Sequence, residues 1–312
     1  MNGKDAKQAV ESKEGADEHD AIAADVGRVS YDALKKAAEM VRPGRKLLEV
    51  AEFAEGLIRK QGYELAFPLN ISINEQAAHY TPSLGDDNAF GEADIVKLDI
   101  GAAKDGILGD CALTVDLSHK NQELLDASQN ALNDAISAVR AGVKVGEIGR
   151  AIERAISAKG FRPIKNLGGH GVTEHNLHAD IFIPNFENGD ETELEEGMVC
   201  AIEPFATDGR GMVSDGDSYE IYDYIGRQAV RSANARNLLA EIEAKYPHEP
   251  FAVRWLADTA ISKFGLYSAV RELFSAGAIN AYPVLVELGN GMVSQFEAEV
   301  LVEKDGCKVL TR

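Results

Sequence analysis

The sequence contains few cysteines and few basic residues, and each scarcity excludes a class of protein. Three cysteines, Cys111, Cys200 and Cys307, stand among 312 residues, too few and too scattered for a disulfide framework or a structural zinc module. We therefore expect a protein of a reducing compartment and predict a cytoplasmic location. Lys and Arg total 32 against 51 Asp and Glu, a net charge of −19, so nucleic acid is not expected as the principal ligand.

Long apolar runs are also missing. No stretch of about 18 apolar residues is available to cross a membrane, and the N-terminal segment is polar and acidic, unlike a signal peptide. The chain is 45% hydrophobic, which is enough for a sizeable buried core. These features predict a soluble globular protein without a membrane partner, and we expect a monomer.

Acidic residues nevertheless occur inside apolar segments. The segment 95–117, IVKLDIGAAKDGILGDCALTVDL, has two β-rich runs joined by turn residues and predicts a β-hairpin. Asp99 lies directly opposite Asp110 if the turn is centred on Lys104 and Asp105, and is its diagonal neighbour on the same face if the centre is one residue later. Carboxylates this close repel each other unless a cation lies between them, although an aspartate pair facing solvent is the alternative.

Three further residues of metal-binding type occur in similar contexts. His170 stands among glycines in LGGHGV, Glu203 follows the apolar run MVCAI, and Glu297 lies with Glu299 on one face of the predicted strand VSQFEAEVLVE. A single histidine is often structural, but a carboxylate in a buried strand needs a partner. Oxygen ligands with one imidazole are typical of Mn, Fe, Co or Zn pairs, which can hold a hydroxide and polarise a carbonyl. The pattern predicts a two-metal hydrolase centre.

These motifs, taken in order, resemble the methionine aminopeptidases. The resemblance is carried by KLDIG, GDCALTVDL, GGHGV, AIEPFATDG and SQFEAEVLV, and it extends from about residue 26 to the C-terminus. The long interval between Glu203 and Glu297, and the segment FPLNISINEQAAHYTP at 67–82, resemble the type 2 branch. The polybasic blocks of eukaryotic type 2 enzymes are missing, so the resemblance is to an archaeal-like form.

The resemblance implies a dinuclear metallo-aminopeptidase. It would remove the initiator methionine from nascent proteins with a small penultimate residue, by attack of a metal-bridged hydroxide on the first peptide bond. One divalent ion would be held by Asp110, His170, Glu203 and Glu297, and a second by Asp99 with Asp110 and Glu297 shared. The two ions would be Co, Mn, Fe or Zn, and Glu203 would also carry the proton of the attacking water.

The resemblance also implies residues that contact the substrate. His79 and His178 would contact the scissile peptide and stabilise its tetrahedral oxyanion, and Phe67 would line the methionine pocket with Leu177 and Tyr282 as neighbours. Without the resemblance, a surface or packed histidine is the favoured explanation for both histidines, and ordinary core packing explains the three apolar residues nearly as well. Nascent polypeptides are the implied partner; the resemblance also allows a ribosome contact, but the missing polybasic blocks leave it without a sequence signal.

Two other functions are compatible with the same motifs. An aminopeptidase P or prolidase shares the fold and metal centre, but such enzymes usually carry a further N-terminal domain. A proliferation-associated, nucleic-acid-binding relative of the same fold is not an enzyme, and such proteins have lost metal ligands that this sequence retains.

An internal repeat predicts two related halves. Residues 41–63 align without gaps to residues 139–161 at an offset of 98, with eight identities in 23 positions. Each copy predicts a turn, an amphipathic helix and a glycine stop. Two such halves about a pseudo-twofold axis agree with the fold that the resemblance implies, an α+β pita-bread fold with a curved antiparallel sheet flanked by helices.

The same reasoning divides the chain into three parts. Residues 1–25 are predicted to be an acidic, flexible tail, and residues 26–225 and 277–312 the catalytic domain. Residues 226–276 contain three segments with helical spacing broken by Pro and Gly, which predict an inserted helical module resembling a winged helix. The basic and acidic side chains of this module nearly balance, so packing beside the active-site mouth is favoured over DNA binding.

Overall fold

The computed structural model describes residues 3–257 and 262–312, with side chains described from residue 19 onward. Helices in these parts of the chain flank antiparallel sheets. The helices are α1 Gly3–Met40, α2 Leu47–Lys60, α3 Gln122–Ala138, α4 Val145–Ala158, α5 Ala233–Lys245 and α6 Lys263–Ser275, with a 3-10 helix at Val253–Leu256. Among them, none is both long enough and apolar enough to cross a membrane.

The strands form four antiparallel sheets in the described residues. The first sheet has the order β1-β3-β4 with β5 also paired to β3, and the others have the orders β14-β10-β6, β12-β11-β13-β2 and β16-β15-β9-β7-β8. The strands are β1 Glu64–Ile73, β2 Gln76–Ala78, β3 Ile95–Lys104, β4 Ile107–Leu108, β5 Cys111–Asp116, β6 Arg162–Pro163, β7 Gly168–Thr173, β8 Asn176–Pro184, β9 Val199–Ile202, β10 Phe205–Thr207, β11 Val213–Tyr224, β12 Phe251–Ala252, β13 Ile279–Glu287, β14 Val293–Gln295, β15 Ala298–Glu303 and β16 Gly306–Val309.

The two copies of the sequence repeat have the same backbone. Helices α2 and α4 each contain 14 residues and begin directly after Lys46 and Lys144, which are aligned in the repeat. The aligned glycines around each helix share positive φ angles, namely Gly44 78°, Gly142 77°, Gly62 83° and Gly160 83°. Such angles are favourable only for glycine among the common residues, so both copies conserve the turns as well as the helix.

Each half has its own hydrophobic core. Helices α1 and α2 cover the sheet of β1 and β3, where Val26, Leu34 and Val50 pack with Leu98. Helices α3 and α4 cover the sheet of β9 and β15, where residues such as Ile148 pack with apolar side chains of those strands. The amphipathic faces predicted from the sequence therefore bury their apolar sides against strands.

The two halves meet along β5 and β14. The backbone N–H of Glu297 donates to the carbonyl oxygen of Ala112 at 2.9 Å. The hydroxyl of Thr114, buried between the strands, donates to the carbonyl of Gln295 at 2.6 Å and accepts from its N–H at 2.9 Å. These hydrogen bonds fix the last strands of the second half against the hairpin of the first half.

The N-terminal segment is helical in its described part. Helix α1 begins at Gly3, and Ala23 and Val26 belong to the core, so packing begins slightly before the predicted boundary at residue 25. Residues 1 and 2 lie outside the described part of the chain, and mobility of the acidic segment stays a prediction.

The inserted module differs in one element from the sequence prediction. Helices α5 and α6 occur as expected, but the segment between them, predicted as a helix from residue 250, opens with the short strand β12 and the 3-10 helix. Phe251 and Ala252 pair with Tyr222 and Ile221 of β11, because Pro247 and Pro250 prevent a helix from continuing into this segment. Residues 258–261 of the predicted helix lie outside the described residues.

Candidate metal centre and substrate cavity

The first two carboxylates of the site lie on the predicted hairpin. Ile100 pairs with Cys111 and Asp99 with Ala112, which is the register centred one residue after Lys104 and Asp105. The turn residues Asp105 and Gly106 have φ angles of 52° and 82°, as a type I′ turn requires. Asp110 follows the end of β4, and its carboxyl group interacts electrostatically with that of Asp99; burial, and then this interaction, raise the pKa of Asp110.

The remaining ligand-type residues come from the second half. His170 lies in β7 opposite Ala201 of β9, while Glu203 follows β9 and Glu297 precedes β15, one step beyond the pair of Ile202 with Ala298. The neighbouring Gly169 is necessary here, because a Cβ at this position would lie 2.2 Å from the carbonyl oxygen of Ala201. The strand can therefore approach β9 closely enough to bring the imidazole to the two glutamates.

These five side chains line one cavity, and some of their ligand atoms lie close together. The Nε2 atom of His170 lies 3.6 Å from Oδ2 of Asp110 and 3.7 Å from Oε1 of Glu203. Asp110, His170 and Glu297 each place a ligand atom within 4.8 Å of the other two, and all three residues are buried. The distances are too long for direct hydrogen bonds, as expected for ligands that share a cation.

The protein alone leaves this cluster electrostatically incomplete. Burial raises the pKa of Asp99 to about 7. Burial and the neighbouring carboxylates raise the pKa values of Asp110, Glu203 and Glu297 well above their usual range. The buried Oδ1 of Asp99 and Oε2 of Glu297 have no hydrogen-bond partner. Divalent cations would partner these oxygens and offset the repulsion, so the donor set fits the predicted metals.

His170 suits the same role. Burial lowers the pKa of His170 to about 3, which keeps the imidazole neutral at physiological pH. A neutral imidazole is the form that binds metals, whereas a charged one cannot. Its Nδ1 lies 3.3 Å from the carbonyl oxygen of Gly171, which leaves Nε2 directed toward the carboxylates.

Two residues near the cluster had no predicted role. The amide of Gln295 lies 3.5 Å from Oδ2 of Asp99 and 3.4 Å from Oε2 of Glu203, so its Nε2 spans two acidic ligands. Glu299 is fully buried near Asp110, and burial raises its pKa well above the usual range. The strand period of two places Gln295 on the same face as Glu297, but a side-chain amide is not a usual ligand of these metals, so the sequence does not mark Gln295 as part of the site.

All ten predicted site residues line one cavity of about 350 Å³. The cavity joins the cluster to an apolar wall that includes Phe67, Leu177 and Tyr282, and Phe67 and Leu177 pack in the same apolar cluster. His79 and His178 line the same cavity. The structure therefore places the ligand-type, histidine and apolar groups together.

His79 is held in a defined orientation and protonation state. Its φ angle of 67° is unusual for a residue with a Cβ, and its Nδ1 lies 3.1 Å from the carbonyl oxygen of Pro283. Burial lowers the pKa of His79 to about 4. Because the carbonyl can only accept, Nδ1 carries the proton of the neutral ring and Nε2 is left as an acceptor.

His178 approaches the cluster from β8. Its ring centroid lies 4.4 Å from that of His170, and its side chain is exposed to the cavity. The second cavity histidine is thus close to the ligand-type residues, while His79 lies beside Tyr282, with 5.7 Å between the ring centroids.

Comparison with known proteins identifies the family. The model of metallopeptidase family M24 matches residues 22–237. A methionine aminopeptidase of Archaeoglobus fulgidus is 47% identical over 92% of this chain and 97% of its own length. A methionine aminopeptidase of Methanocaldococcus jannaschii is 42% identical over the same shares of the two chains.

Solved structures of lower identity share the fold. A thermophilic Arx1 superposes with a TM-score of 0.78 at 18% identity, over 90% of this chain and 87% of that one. A methionine aminopeptidase of Thermotoga maritima superposes with a TM-score of 0.66 at 22% identity, over 93% and 94% of the two chains. The antiparallel sheets flanked by helices are thus the pita-bread fold predicted from the sequence. The chain belongs to metallopeptidase family M24, among the methionine aminopeptidases.

Proposed function

We propose that this chain is a type 2 methionine aminopeptidase that removes the N-terminal methionine from polypeptides with a small second residue. The observation that carries the proposal is the cavity in which five ligand-type side chains, two histidines and an apolar wall lie together. The relatives of 42–47% identity that bear the same enzyme name support the reaction. The type 2 assignment rests on the module inserted between the segments that carry Glu203 and Glu297.

The five ligand-type residues would hold two divalent ions. Asp110, His170 and Glu297, whose ligand atoms lie within 4.8 Å of one another, would hold one ion together with Glu203, and Asp99 of the hairpin would hold the second. When bound, the ions supply Lewis-acid polarisation of the carbonyl and lower the pKa of water. The amide of Gln295 would hold the carboxylates of Asp99 and Glu203 in place.

Glu203 is suited to move the proton during hydrolysis. Its pKa is raised by burial and by the charge of Asp99, so its carboxylate accepts a proton readily. The carboxylate would take the proton from the attacking water and transfer it to the leaving amine. A general acid or base with a raised pKa works at neutral pH, where an ordinary glutamate would stay ionised.

The two histidines would orient the scissile amide. Nε2 of His79 is an acceptor, so it would receive a hydrogen bond from the amide N–H rather than donate to the developing oxyanion. This narrows the role expected from the sequence, where both histidines were assigned to the oxyanion. His178 is then the histidine left to face the carbonyl oxygen.

The apolar wall would hold the methionine side chain. Phe67, Leu177 and Tyr282 offer apolar surface within the cavity, and a cavity of about 350 Å³ lies at the small end of ligand pockets. An unbranched methionine side chain fits such a wall. A bulky second residue would have to share this confined space with the scissile bond.

The test is release of free methionine from the peptide Met-Gly-Ser by chelator-treated protein, with and without added Co²⁺ or Mn²⁺. We expect metal-dependent release, and a loss of about 10² to 10⁴ in kcat for the Glu203→Gln variant, because the proton carrier is removed. Glu196→Gln, an exposed glutamate that precedes the same strand, is the matched control and should retain full activity.

A second substrate separates the alternatives from the proposal. Release of the first residue from an Ala-Pro peptide, without release from Met-Gly-Ser, would favour an aminopeptidase P or prolidase. A folded protein that releases nothing with any metal would favour a non-enzymatic relative. Unchanged activity of Glu203→Gln would contradict the role given to that residue.

A further inference from the structure

Strand β8 is the last strand of its sheet. The order β16-β15-β9-β7-β8 gives it one hydrogen-bonded neighbour, β7. The edge of β8 that faces away from β7 therefore carries backbone N–H and C=O groups without a strand partner in the described residues. Such an edge is a template on which a further extended chain can pair.

This edge runs along the substrate cavity. The six consecutive residues 177–182 all line the cavity. Side chains of a strand alternate between its two faces, so a cavity under one face would contact every second residue. Contact with six in succession places the cavity beside the strand, at its edge.

Two residues in the middle of β8 are also unpaired with β7. His170 pairs with Phe182 and Gly171 with Ala179, so Asp180 and Ile181 have no opposite residue in β7. The extra residues form a bulge, a feature that often redirects a strand next to an active site. Phe182, at the far end of this stretch, has 45% of its surface exposed.

We propose that the polypeptide substrate pairs through its backbone with the free edge of β8, so that the segment after the scissile bond is bound as an added strand. The inference rests on the proposed function and adds how the substrate beyond its second residue is recognised. The cavity that would hold the methionine side chain is lined by residues 177–182, so the peptide that follows the methionine would leave the site along this edge. Backbone pairing suits substrates whose sequences vary after the second residue, because main-chain groups are the same in all of them.

The length of the edge sets the length of the recognised segment. From His178 to Phe182 there are four steps of about 3.3 Å, roughly 13 Å in all. This matches about four extended substrate residues beyond the methionine. Longer substrates gain nothing further from β8.

The first test compares peptides of increasing length with the wild-type, metal-loaded enzyme. The series is Met-Gly, Met-Gly-Ser, Met-Gly-Ser-Ala, Met-Gly-Ser-Ala-Thr and Met-Gly-Ser-Ala-Thr-Ser-Ala, each with an amidated C-terminus. We expect kcat/KM to rise about tenfold or more up to the pentapeptide, since each backbone hydrogen bond contributes a factor of about five, and then to stay level. Equal kcat/KM for all lengths would overturn the inference and leave the proposed function intact.

The second test separates backbone pairing from general contact. In a strand, successive N–H groups point to opposite sides, so only alternate substrate N–H groups can bond to β8. Two pentapeptides are compared, one N-methylated at residue 3 and the other at residue 4. We expect one of them to have a kcat/KM about fivefold or more below that of the unmodified peptide, and the other to keep its kcat/KM. No loss at either position, or an equal loss at both, would contradict pairing.

Two further outcomes are informative. Absence of methionine release from every peptide would overturn the proposed function and this inference together. A dimer that persists at saturating concentrations of the non-cleaved pentapeptide Ala-Gly-Ser-Ala-Thr would show that a second copy of the chain occupies the edge, and would overturn the inference. Sedimentation measurements at several protein concentrations detect this case.

Discussion

At the scale of single residues, the protein controls chemistry through protonation and orientation. Asp110 and His170 are both buried, yet burial raises the pKa of one and lowers that of the other. Both shifts favour the neutral forms, because an apolar environment disfavours any charge. A bound metal ion would favour the charged form of the carboxyl groups, and the neutral imidazole is the form that can bind such an ion.

His79 provides a prediction at this scale. In the His79→Gln variant, kcat/KM for Met-Gly-Ser should fall about tenfold or more, because a glutamine amide cannot donate to the Pro283 carbonyl and at the same time place an acceptor where Nε2 of the imidazole lies. The thermal unfolding midpoint should change little in comparison. Steady-state kinetics with His19→Gln, an exposed histidine of α1, as the matched control provide the measurement. Equal activity of both variants would show that His79 does not contact the substrate.

At the scale of elements, the repeated helix with its glycine turns defines each half. Gly62 and Gly160 follow α2 and α4, both have φ of 83°, and an added Cβ would meet no atom within 4 Å at either position. Any cost of a side chain there arises from the backbone conformation alone. Gly56 lies inside α2, also has open space around it, and has no positive φ.

These three glycines predict opposite effects of the same substitution. Gly62→Ala and Gly160→Ala should each lower the free energy of unfolding by about 1 kcal/mol, because alanine is strained at positive φ. Gly56→Ala should raise it by about 0.5–1 kcal/mol, because alanine favours the helix. Urea denaturation of the three variants checks the signs. Destabilisation by Gly56→Ala of the same size as by the others would refute the explanation from φ.

At the scale of the whole molecule, two halves come together around a cluster of acids. The clustered carboxyl groups bind protons in the folded protein at pH values where the unfolded chain has lost them, since the pKa of Asp99 is raised from 3.8 to about 7. The folded state then holds more protons between about pH 4 and pH 7. This contribution to stability falls as pH rises through that window.

Metal loading should therefore matter most at neutral and higher pH. We compare the free energy of unfolding of Mn²⁺-loaded protein with that of chelator-treated protein. The loaded protein should be the more stable, and the difference should grow from pH 5 to pH 8. At pH 7.5, free metal at 100 times its Kd should add about 2.7 kcal/mol. Denaturant titrations at each pH measure the difference. Asp110→Asn should lose most of the gain, and an identical gain in that variant would place the metal elsewhere.

The sequence by itself determined the features that depend on local chemistry and on period. The helix positions in the repeat, the hairpin of Asp99 and Asp110, and the placement of Glu297 on a strand follow from turn residues and alternation. The sequence leaves two registers possible for this hairpin. In the structure, the type I′ turn at Asp105 and Gly106 sets the register in which Asp99 pairs with Ala112. Local patterns do not show that His79, His178 and Phe67 belong to the same site; the family resemblance predicts this.

Only the tertiary structure decided how distant segments meet. Gln295 reaches Asp99 because β14 packs against the hairpin of the other half, a contact between residues nearly 200 positions apart. The acceptor role of His79 depends on the Pro283 carbonyl, and the free edge of β8 depends on the order of the sheet. Local sequence sets the conformation of a segment, whereas the pairing of segments depends on cores buried between them, which no single segment contains.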